Sequence, residues 1–278
     1  MKSSNLHAAA MLLVPIALFT SCQKNYRNPD ETLQQPSSVK TASAATTAVT
    51  YQLVWSDEFD GTAVNTANWN FETGGGGWGN NEQEYYQASN ATVSAGNLVI
   101  TAKKQRVKAN NYTSARMTTK AKHEFLYGKM EARIKLPLVQ GLWPAFWMLG
   151  ANINTVPWPG CGETDIMEHI NLENTIYGTI HWDNNGHASY GGSTTTTPAD
   201  YHIYSVEWDS AAIRWYVDGV QFHEANILNN INGTEEFHKP FFLILNLAVG
   251  GNWPGQTIDD SKLPASMYVD YVRVYKAL

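Results

Sequence analysis

Short apolar and β-branched runs recur along the chain from Tyr51 onward. Turn signals such as Asp218-Gly219 separate them, and no long stretch has helical periodicity. The pattern predicts strands at 53–55, 98–103, 115–119, 128–136, 143–149, 175–182, 201–208, 212–217, 241–248 and 267–275. Many short strands at regular spacing indicate an all-β protein, and we predict one domain, an antiparallel β-sandwich or jelly roll.

Three carboxylates stand within six residues of a segment otherwise suited to the interior of a sheet. A regular strand repeats every two residues, which places Glu163 and Asp165 on one face and turns Glu168 away. One additional residue, a β-bulge near Ile166 or Met167, would bring all three to the same face. Because clustered carboxylates are unfavourable in a partly buried site, we interpret this segment as a catalytic strand.

Composition narrows the classes of partner. The net charge is −6 and no basic stripe is present, which argues against a nucleic-acid partner. The chain has ten Trp and fourteen Tyr. Most of these must lie in the core of a large sandwich, but a surplus also suits a cleft that binds the amphipathic faces of sugar rings.

The first fifty residues differ in composition from the rest. An apolar stretch from Leu6 to Phe19 is too short for a membrane span and ends at Thr20-Ser21-Cys22, which resembles a bacterial lipoprotein signal. We expect residues 1–22 to be a signal peptide with Cys22 as the lipidation site, and the protein to be exported and lipid-anchored to the outer membrane or cell surface. An ordinary secretory signal is the alternative. Residues 23–50, rich in Ser, Thr and Ala, predict a flexible tether before the folded domain, 51–278.

Two carboxylates acting across a sugar ring are the usual equipment for hydrolysing a glycosidic bond. One attacks the anomeric carbon, while the other protonates the leaving oxygen and then activates water; in retaining enzymes the two lie about 5 Å apart. A third acid between them would keep one proton in the cluster at neutral pH. Surface acids on an edge strand, or ligands of a hard cation, are the alternatives, although calcium loops usually place their ligands in turns.

The acidic segment Glu163-Thr164-Asp165-Ile166-Met167-Glu168 is accompanied by five further blocks in a fixed order. These blocks are Trp55–Phe59, Asn80–Tyr86, Tyr127–Lys129, Gly141–Leu149 and Asn246–Gly255. Together they resemble glycoside hydrolase family 16 in its laminarinase branch, with Thr164 where that family commonly has Ile. The resemblance covers nearly all of residues 51–276.

The resemblance implies a fold, a reaction and roles for the acids. The fold is a β-jelly roll of two stacked antiparallel sheets with a substrate cleft across the concave one. Glu163 corresponds to the nucleophile, Glu168 to the general acid/base and Asp165 to the assisting acid. The implied activity is retaining endo-hydrolysis of internal β-1,3 or mixed β-1,3/1,4 glucosidic bonds in laminarin-like polysaccharides, with no cofactor for catalysis.

Four tryptophans are expected to contact the sugar. Trp143 and Trp147 lie four residues apart on a predicted strand and so share a face if the strand is regular. Core packing is the alternative for such a pair, and the resemblance implies that at least one of them lines the cleft. Trp158 precedes the acidic strand and Trp253 lies in a Gly-rich loop, where rings stay exposed.

Three polar residues complete the expected binding set. By resemblance, Asn81 and Arg116 occupy positions that hydrogen-bond sugar hydroxyls, although Arg116 could equally be a structural ion-pair partner. His181 ends the strand expected beside the catalytic one, and we predict that it contacts the substrate or the acids.

A structural calcium site is also implied by the resemblance. Glu58, a turn carbonyl at Gly96 and Asp270 match the positions of that site, where oxygens from separate segments would clamp the two ends of the domain. The alternative is that the two acids are ordinary surface residues.

Two other functions are alternatives to glucan hydrolysis. A non-catalytic carbohydrate-binding sandwich needs aromatic platforms but has no use for three clustered acids. The second alternative is the same chemistry on a red-algal galactan, agarose or carrageenan. A sulfated galactan would favour a basic cleft. The basic clusters in this sequence are Lys103-Lys104 and Lys120-Lys122. We expect a monomer that acts on a polysaccharide.

Overall fold

The structure is a computed structural model that describes residues 49–278. The predicted signal peptide 1–22 with its Cys22, and the predicted tether up to residue 48, lie outside the described residues. The first strand begins at Tyr51, where the sequence predicts the folded domain to begin. Within 49–278, the helices are too short to cross a membrane.

Strands dominate the described part of the chain. They are β1 Tyr51–Asp57, β2 Asn70–Glu72, β3 Glu84–Tyr86, β4 Ala91–Ser94, β5 Asn97–Ala102, β6 Tyr112–Ser114, β7 Arg116–Thr118, β8 Gly128–Lys135, β9 Leu142–Gly150, β10 Glu163–Glu168, β11 Thr175–Asp183, β12 His187–Thr195, β13 His202–Trp208, β14 Ala212–Val217, β15 Val220–Asn226, β16 Phe241–Val249 and β17 Ala265–Ala277. Short 3₁₀ segments cover Ala88–Asn90, Leu228–Gly233, Glu235–His238 and Asp260–Lys262.

The strands form two large antiparallel sheets. The eight-stranded sheet has the order β15-β14-β13-β8-β17-β5-β4, with β1 added beside β17. The seven-stranded sheet has the order β12-β11-β10-β9-β16-β7-β2. A small parallel pair, β3 with β6, stands apart from both. The predicted all-β fold of two antiparallel sheets is confirmed.

One hydrophobic core fills the space between the sheets. Alternate residues of β8, such as Met130 and Ile134, meet Phe146 and Met148 of β9 in a single buried cluster. All nine residues of β16 are buried, and on the side away from this core Phe242 and Ile244 pack in a second, smaller cluster with Leu149 and Cys161. The seven-stranded sheet therefore has one face on the main core and an outer face that can carry a site.

Two of the longer strands, β12 and β15, are absent from the sequence prediction, as are the short strands β2, β3, β4 and β6. β12 contains Gly191 and Gly192 and alternates poorly, and β15 follows β14 across the Asp218-Gly219 turn. Both are edge strands, so their outward residues need not be apolar. Their pairing with β11 and β14 identifies them as strands, whereas their hydrophobic pattern does not.

Candidate active site

Strand β10 pairs irregularly with its neighbours. Asp165 pairs with Trp147 of β9, but Met167 pairs with the adjacent Phe146, so Ile166 is an additional residue. The register with β11 shifts at the same place. The predicted bulge is confirmed, and it restores the parity that brings all three acids of β10 to one face.

An open cleft of about 630 Å³ lies over the outer face of the seven-stranded sheet. That volume is typical of sites for small molecules or short segments of a polymer. The three acids of β10 line it together with five tryptophans, Trp78, Trp143, Trp147, Trp158 and Trp253. A cleft of this composition offers flat apolar rings beside carboxyl groups, which suits a sugar chain.

Each outer acid is held by a tryptophan. Nε1 of Trp158 donates a hydrogen bond to Oε2 of Glu163 at 3.1 Å. Nε1 of Trp143 donates to Oε1 of Glu168 at 3.0 Å. These two rings line the cleft as predicted, and their N–H groups also fix the carboxylates.

His181 lies beside the acids because β11 pairs with β10 so that His181 stands opposite Glu163. Its Nε2 is 3.2 Å from Oδ2 of Asp165 and 3.9 Å from Oε1 of Glu163. Its Nδ1 is 2.9 Å from Nε2 of His187 on β12. The structure thus brings His181 to the acid cluster, as the sequence predicts.

Burial raises the pKa of all three acids. The pKa of Asp165 rises to about 8. Burial and then the charge of Asp165 raise the pKa of Glu163, while His181 and Arg116 oppose the rise. Burial and Asp165 likewise raise the pKa of Glu168, against the hydrogen bond from Trp143 and the effect of His181. The cluster therefore holds protons at neutral pH. The charge of Arg116 opposes the rise at Glu163 and not at Glu168, which favours Glu163 as the anionic member.

Arg116 is a structural ion-pair partner, and its contact with sugar hydroxyls stays a prediction. It forms an ion pair with Glu72 and also lines the cleft. Its guanidinium lies 4.8 Å from the ring of Trp147 and 5.1 Å from the ring of Trp78. Trp147 in turn donates through Nε1 to Oδ1 of Asn246 at 2.7 Å. This end of the cleft is a packed aromatic and guanidinium surface.

Of the two remaining residues expected to contact the sugar, Trp253 lines the cleft and Asn81 lies at its rim. Trp253 is 40% exposed and packs edge-on against Trp143 and Tyr177, with ring centroids 5.6 Å and 4.8 Å away. Asn81 lies beside the cleft, where its Nδ2 donates to Oδ1 of Asn252 at 2.8 Å and joins two loops. The preceding residue, Asn80, lines the cleft instead.

Sequence reasoning missed several residues that line the cleft, namely Trp78, Glu82, Thr179, His187 and Asn246. His187 could have been found, because the Asn185-Gly186 dipeptide is a hairpin signal between it and His181. The others depend on which strands pair across the sheet, which local pattern does not reveal.

The expected calcium residues are brought near one another, but their carboxylates are engaged. Asp270 adjoins Val269, which pairs with Leu98 just after the turn at Gly96. The guanidinium of Arg273 binds Glu58 at 2.8 Å, and that of Arg133 binds Asp270 at 2.7 Å. Because arginines already neutralise both acids, the side chains as placed do not fit a calcium site, and such a site stays a prediction.

The similarity of this chain to known proteins agrees with the geometry of the site. A profile described as glycosyl hydrolases family 16 matches residues 79–273. The clotting factor G alpha subunit of Tachypleus tridentatus is 48% identical over 231 residues, which cover 81% of this chain and 34% of that protein. The β-glucanase of Rhodothermus marinus is 39% identical over 81% of this chain and 85% of its own length.

A solved structure shares the fold as well as the sequence. The catalytic domain of an endo-1,3-β-glucanase (laminarinase) from Thermotoga petrophila RKU-1 superimposes with a TM-score of 0.78 and 45% identity. The match covers 82% of this chain and 99% of that domain. This chain spans about a third of the clotting factor subunit but 85% of the Rhodothermus marinus enzyme. With the profile, the sequence identity and the bulged acidic strand in agreement, the chain belongs to glycoside hydrolase family 16.

Proposed function

We propose that this protein is a retaining endo-glycoside hydrolase that cleaves internal β-1,3 or mixed β-1,3/1,4 glucosidic bonds of laminarin-like polysaccharides. One observation carries the proposal: the bulge at Ile166 places Glu163 and Glu168 on one face of β10, each held by an indole N–H. The relatives named as laminarinase and β-glucanase support the choice of substrate.

In the first step, a carboxylate oxygen of Glu163 attacks the anomeric carbon while Glu168 gives its proton to the leaving glycosidic oxygen. The bond between carbon and leaving oxygen breaks as the glycosyl ester of Glu163 forms. Burial raises the pKa of Glu163, and Arg116 opposes that rise, which favours the ionised form that the attack requires. Burial favours the protonated form of Glu168 before the step.

In the second step, Glu168 is ionised and takes a proton from water, whose oxygen attacks the anomeric carbon and releases Glu163. The indole of Trp143 continues to donate to Glu168, which stabilises this anion. Asp165 lies between the two glutamates and keeps a proton to neutral pH, so it limits the charge that builds up in the cluster.

The charges of the cleft favour a neutral glucan. Among the described residues, Arg116 is the one lysine or arginine lining the cleft, and it is already paired with Glu72. A sulfated galactan would need free cations there. A purely carbohydrate-binding role would leave the three clustered acids without a use.

Product analysis on laminarin, lichenan, agarose and carrageenan in parallel tests the proposal. We expect short oligosaccharides from laminarin, with none from the galactans. Glu163→Gln and Glu168→Gln should each lose nearly all of this activity while keeping the wild-type circular dichroism spectrum. Cleavage of agarose without cleavage of laminarin would overturn the substrate, and near-normal turnover by either variant would overturn the roles.

We further propose that the protein acts as a monomer, exported and lipid-anchored through Cys22. The support for the anchor is the sequence of residues 1–22. Palmitate labelling of the wild type, lost in Cys22→Ala, is the expected result; labelling that persists in the variant would contradict it. A single monomer-sized species in sedimentation is expected.

A further inference from the structure

Three side chains in the cleft converge on one point. Nε2 of His181 lies 3.2 Å from Oδ2 of Asp165 and 3.9 Å from Oε1 of Glu163. The three atoms all lie within 4.8 Å of one another. We infer that these side chains form a binding site for a divalent transition metal such as Zn²⁺, and that the bound ion closes the cleft to substrate.

The spacing of the three atoms fits a single tetrahedral ion. Zinc binds imidazole nitrogen and carboxylate oxygen at about 2.0–2.1 Å, which places neighbouring tetrahedral ligands roughly 3.3 Å apart. The distances of 3.2 Å and 3.9 Å from His181 lie close to that value. Small side-chain rotations of Glu163 would complete the set. Three protein ligands leave the fourth position open to water, as in other zinc sites exposed to a cleft.

One of the proposed ligand atoms accepts no hydrogen bond within residues 49–278, although Nε2 of His181 lies 3.2 Å away. Asp165 is 2% exposed, and its buried Oδ2 accepts no hydrogen bond from the described residues. A buried oxygen without a donor is unfavourable, and native proteins rarely leave one so. The oxygen points toward Nε2 of His181, where a cation would satisfy it.

A second histidine prepares His181 for this role. Nδ1 of His181 lies 2.9 Å from Nε2 of His187, and the two rings stack with centroids 5.1 Å apart. When Nδ1–H donates to His187, the lone pair of Nε2 faces the two acids. Histidines that bind metals almost always donate their other ring N–H to a carboxylate, a backbone carbonyl or water, and here Nε2 of His187 takes the place of that acceptor.

The chemistry of the three proposed ligands favours a transition metal over calcium or magnesium. One imidazole with two carboxylates suits zinc and copper, whereas calcium and magnesium prefer sites made wholly of oxygen. The ion would engage the oxygen of Glu163 that must attack the sugar. Closure of the cleft therefore rests on the proposed function, whereas binding of the ion does not.

The direct test uses the full chain without an affinity tag, carrying Glu168→Gln, a residue outside the proposed ligand set. Calorimetry with Zn²⁺ and visible absorption of bound Co²⁺ should each show one equivalent. Adding His181→Gln or Asp165→Asn should weaken binding by at least about 100-fold, and adding His187→Gln by roughly 10- to 100-fold. Calcium should not displace Co²⁺.

A matched control comes from the other sheet. His202 on β13 lies 2.6 Å from Oδ2 of Asp218, so His202→Gln removes a histidine beside a carboxylate without touching the cleft. This change should leave Zn²⁺ affinity within about twofold. Zinc should also raise the KM of the wild type for laminarin.

Three results would overturn the inference. The first is the absence of one-to-one binding. The second is binding that survives both His181→Gln and Asp165→Asn; if one of these fails to fold, the other decides. The third is binding that His202→Gln abolishes. Zinc binding that leaves the KM for laminarin unchanged would overturn closure of the cleft. A protein inactive on glucans would still give a valid binding result.

Discussion

Replacing Asp165 with Asn should make the protein more stable and much less active, with a stability gain that grows with pH. Asp165 is 2% exposed, and burial raises its pKa from 3.8 to about 8. The folded protein thus holds this proton more tightly than the unfolded chain. The contribution of Asp165 to stability is complete below about pH 3.8 and is lost as pH rises toward 8.

The magnitude follows from linkage. Each pH unit between the two pKa values changes the free energy of unfolding by about 1.4 kcal/mol, so about 4 kcal/mol is lost by pH 7. Glu163 and Glu168 share protons with Asp165, which makes this figure an upper bound. Asn cannot ionise, and its amide can donate to Nε2 of His181. For a domain of this size, the Tm at pH 7 should rise by up to roughly 10 °C.

Thermal unfolding of wild type and Asp165→Asn between pH 4.5 and 8, followed by circular dichroism, measures this difference. The control is Asp60→Asn, which changes an exposed acid outside the cleft. Its effect on the Tm should not increase with pH. Turnover on laminarin, measured alongside, should fall because the cluster loses its middle acid. A gain that is equal at pH 4.5 and pH 8, or a loss of stability at pH 7, would refute the reasoning from burial.

Three further predictions concern other parts of the domain. Burial and the neighbouring Glu82 raise the pKa of Glu84, so Glu84→Gln should raise the Tm at pH 7, with the gain fading below about pH 4.5. Trp143→Phe keeps a ring but removes the hydrogen bond to Glu168, and kcat should fall about tenfold with KM little changed. Because Asp270 is already in an ion pair, a chelator should leave the Tm unchanged; a drop that calcium reverses would show that the acids open to bind metal.

The sequence predicted the acidic strand well because side-chain parity is a local property. The odd spacing between Asp165 and Glu168 required an additional residue, and the register shows it at Ile166. The apolar strands were predicted for the same reason: alternation and runs of buried residues are visible in a single segment. Both features need no knowledge of what lies across the sheet.

Contacts across the sheets could not be predicted in the same way. Glu84 accepts a hydrogen bond from the backbone N–H of Val249 at 2.6 Å, although 165 residues separate them. Glu82 accepts from the hydroxyl of Tyr86 at 2.9 Å, and Tyr86 accepts from Asn246 at 3.3 Å. Such a network depends on strand order and register. A pattern of polar residues in one segment does not specify either.

The bulge links the reaction to the stability of the fold. The buried Asp165 and the half-buried Glu163 and Glu168 have raised pKa values and destabilise the strand that carries them, because each would be charged in the unfolded chain at neutral pH. The insertion that turns Glu168 toward the cleft also sends two successive apolar side chains, Ile166 and Met167, into the core, where they are 1% and 0% exposed. Burial of two such side chains contributes roughly 3–6 kcal/mol. That burial offsets a large part of what the acids cost, so the feature that aims the acid/base also holds its strand in place.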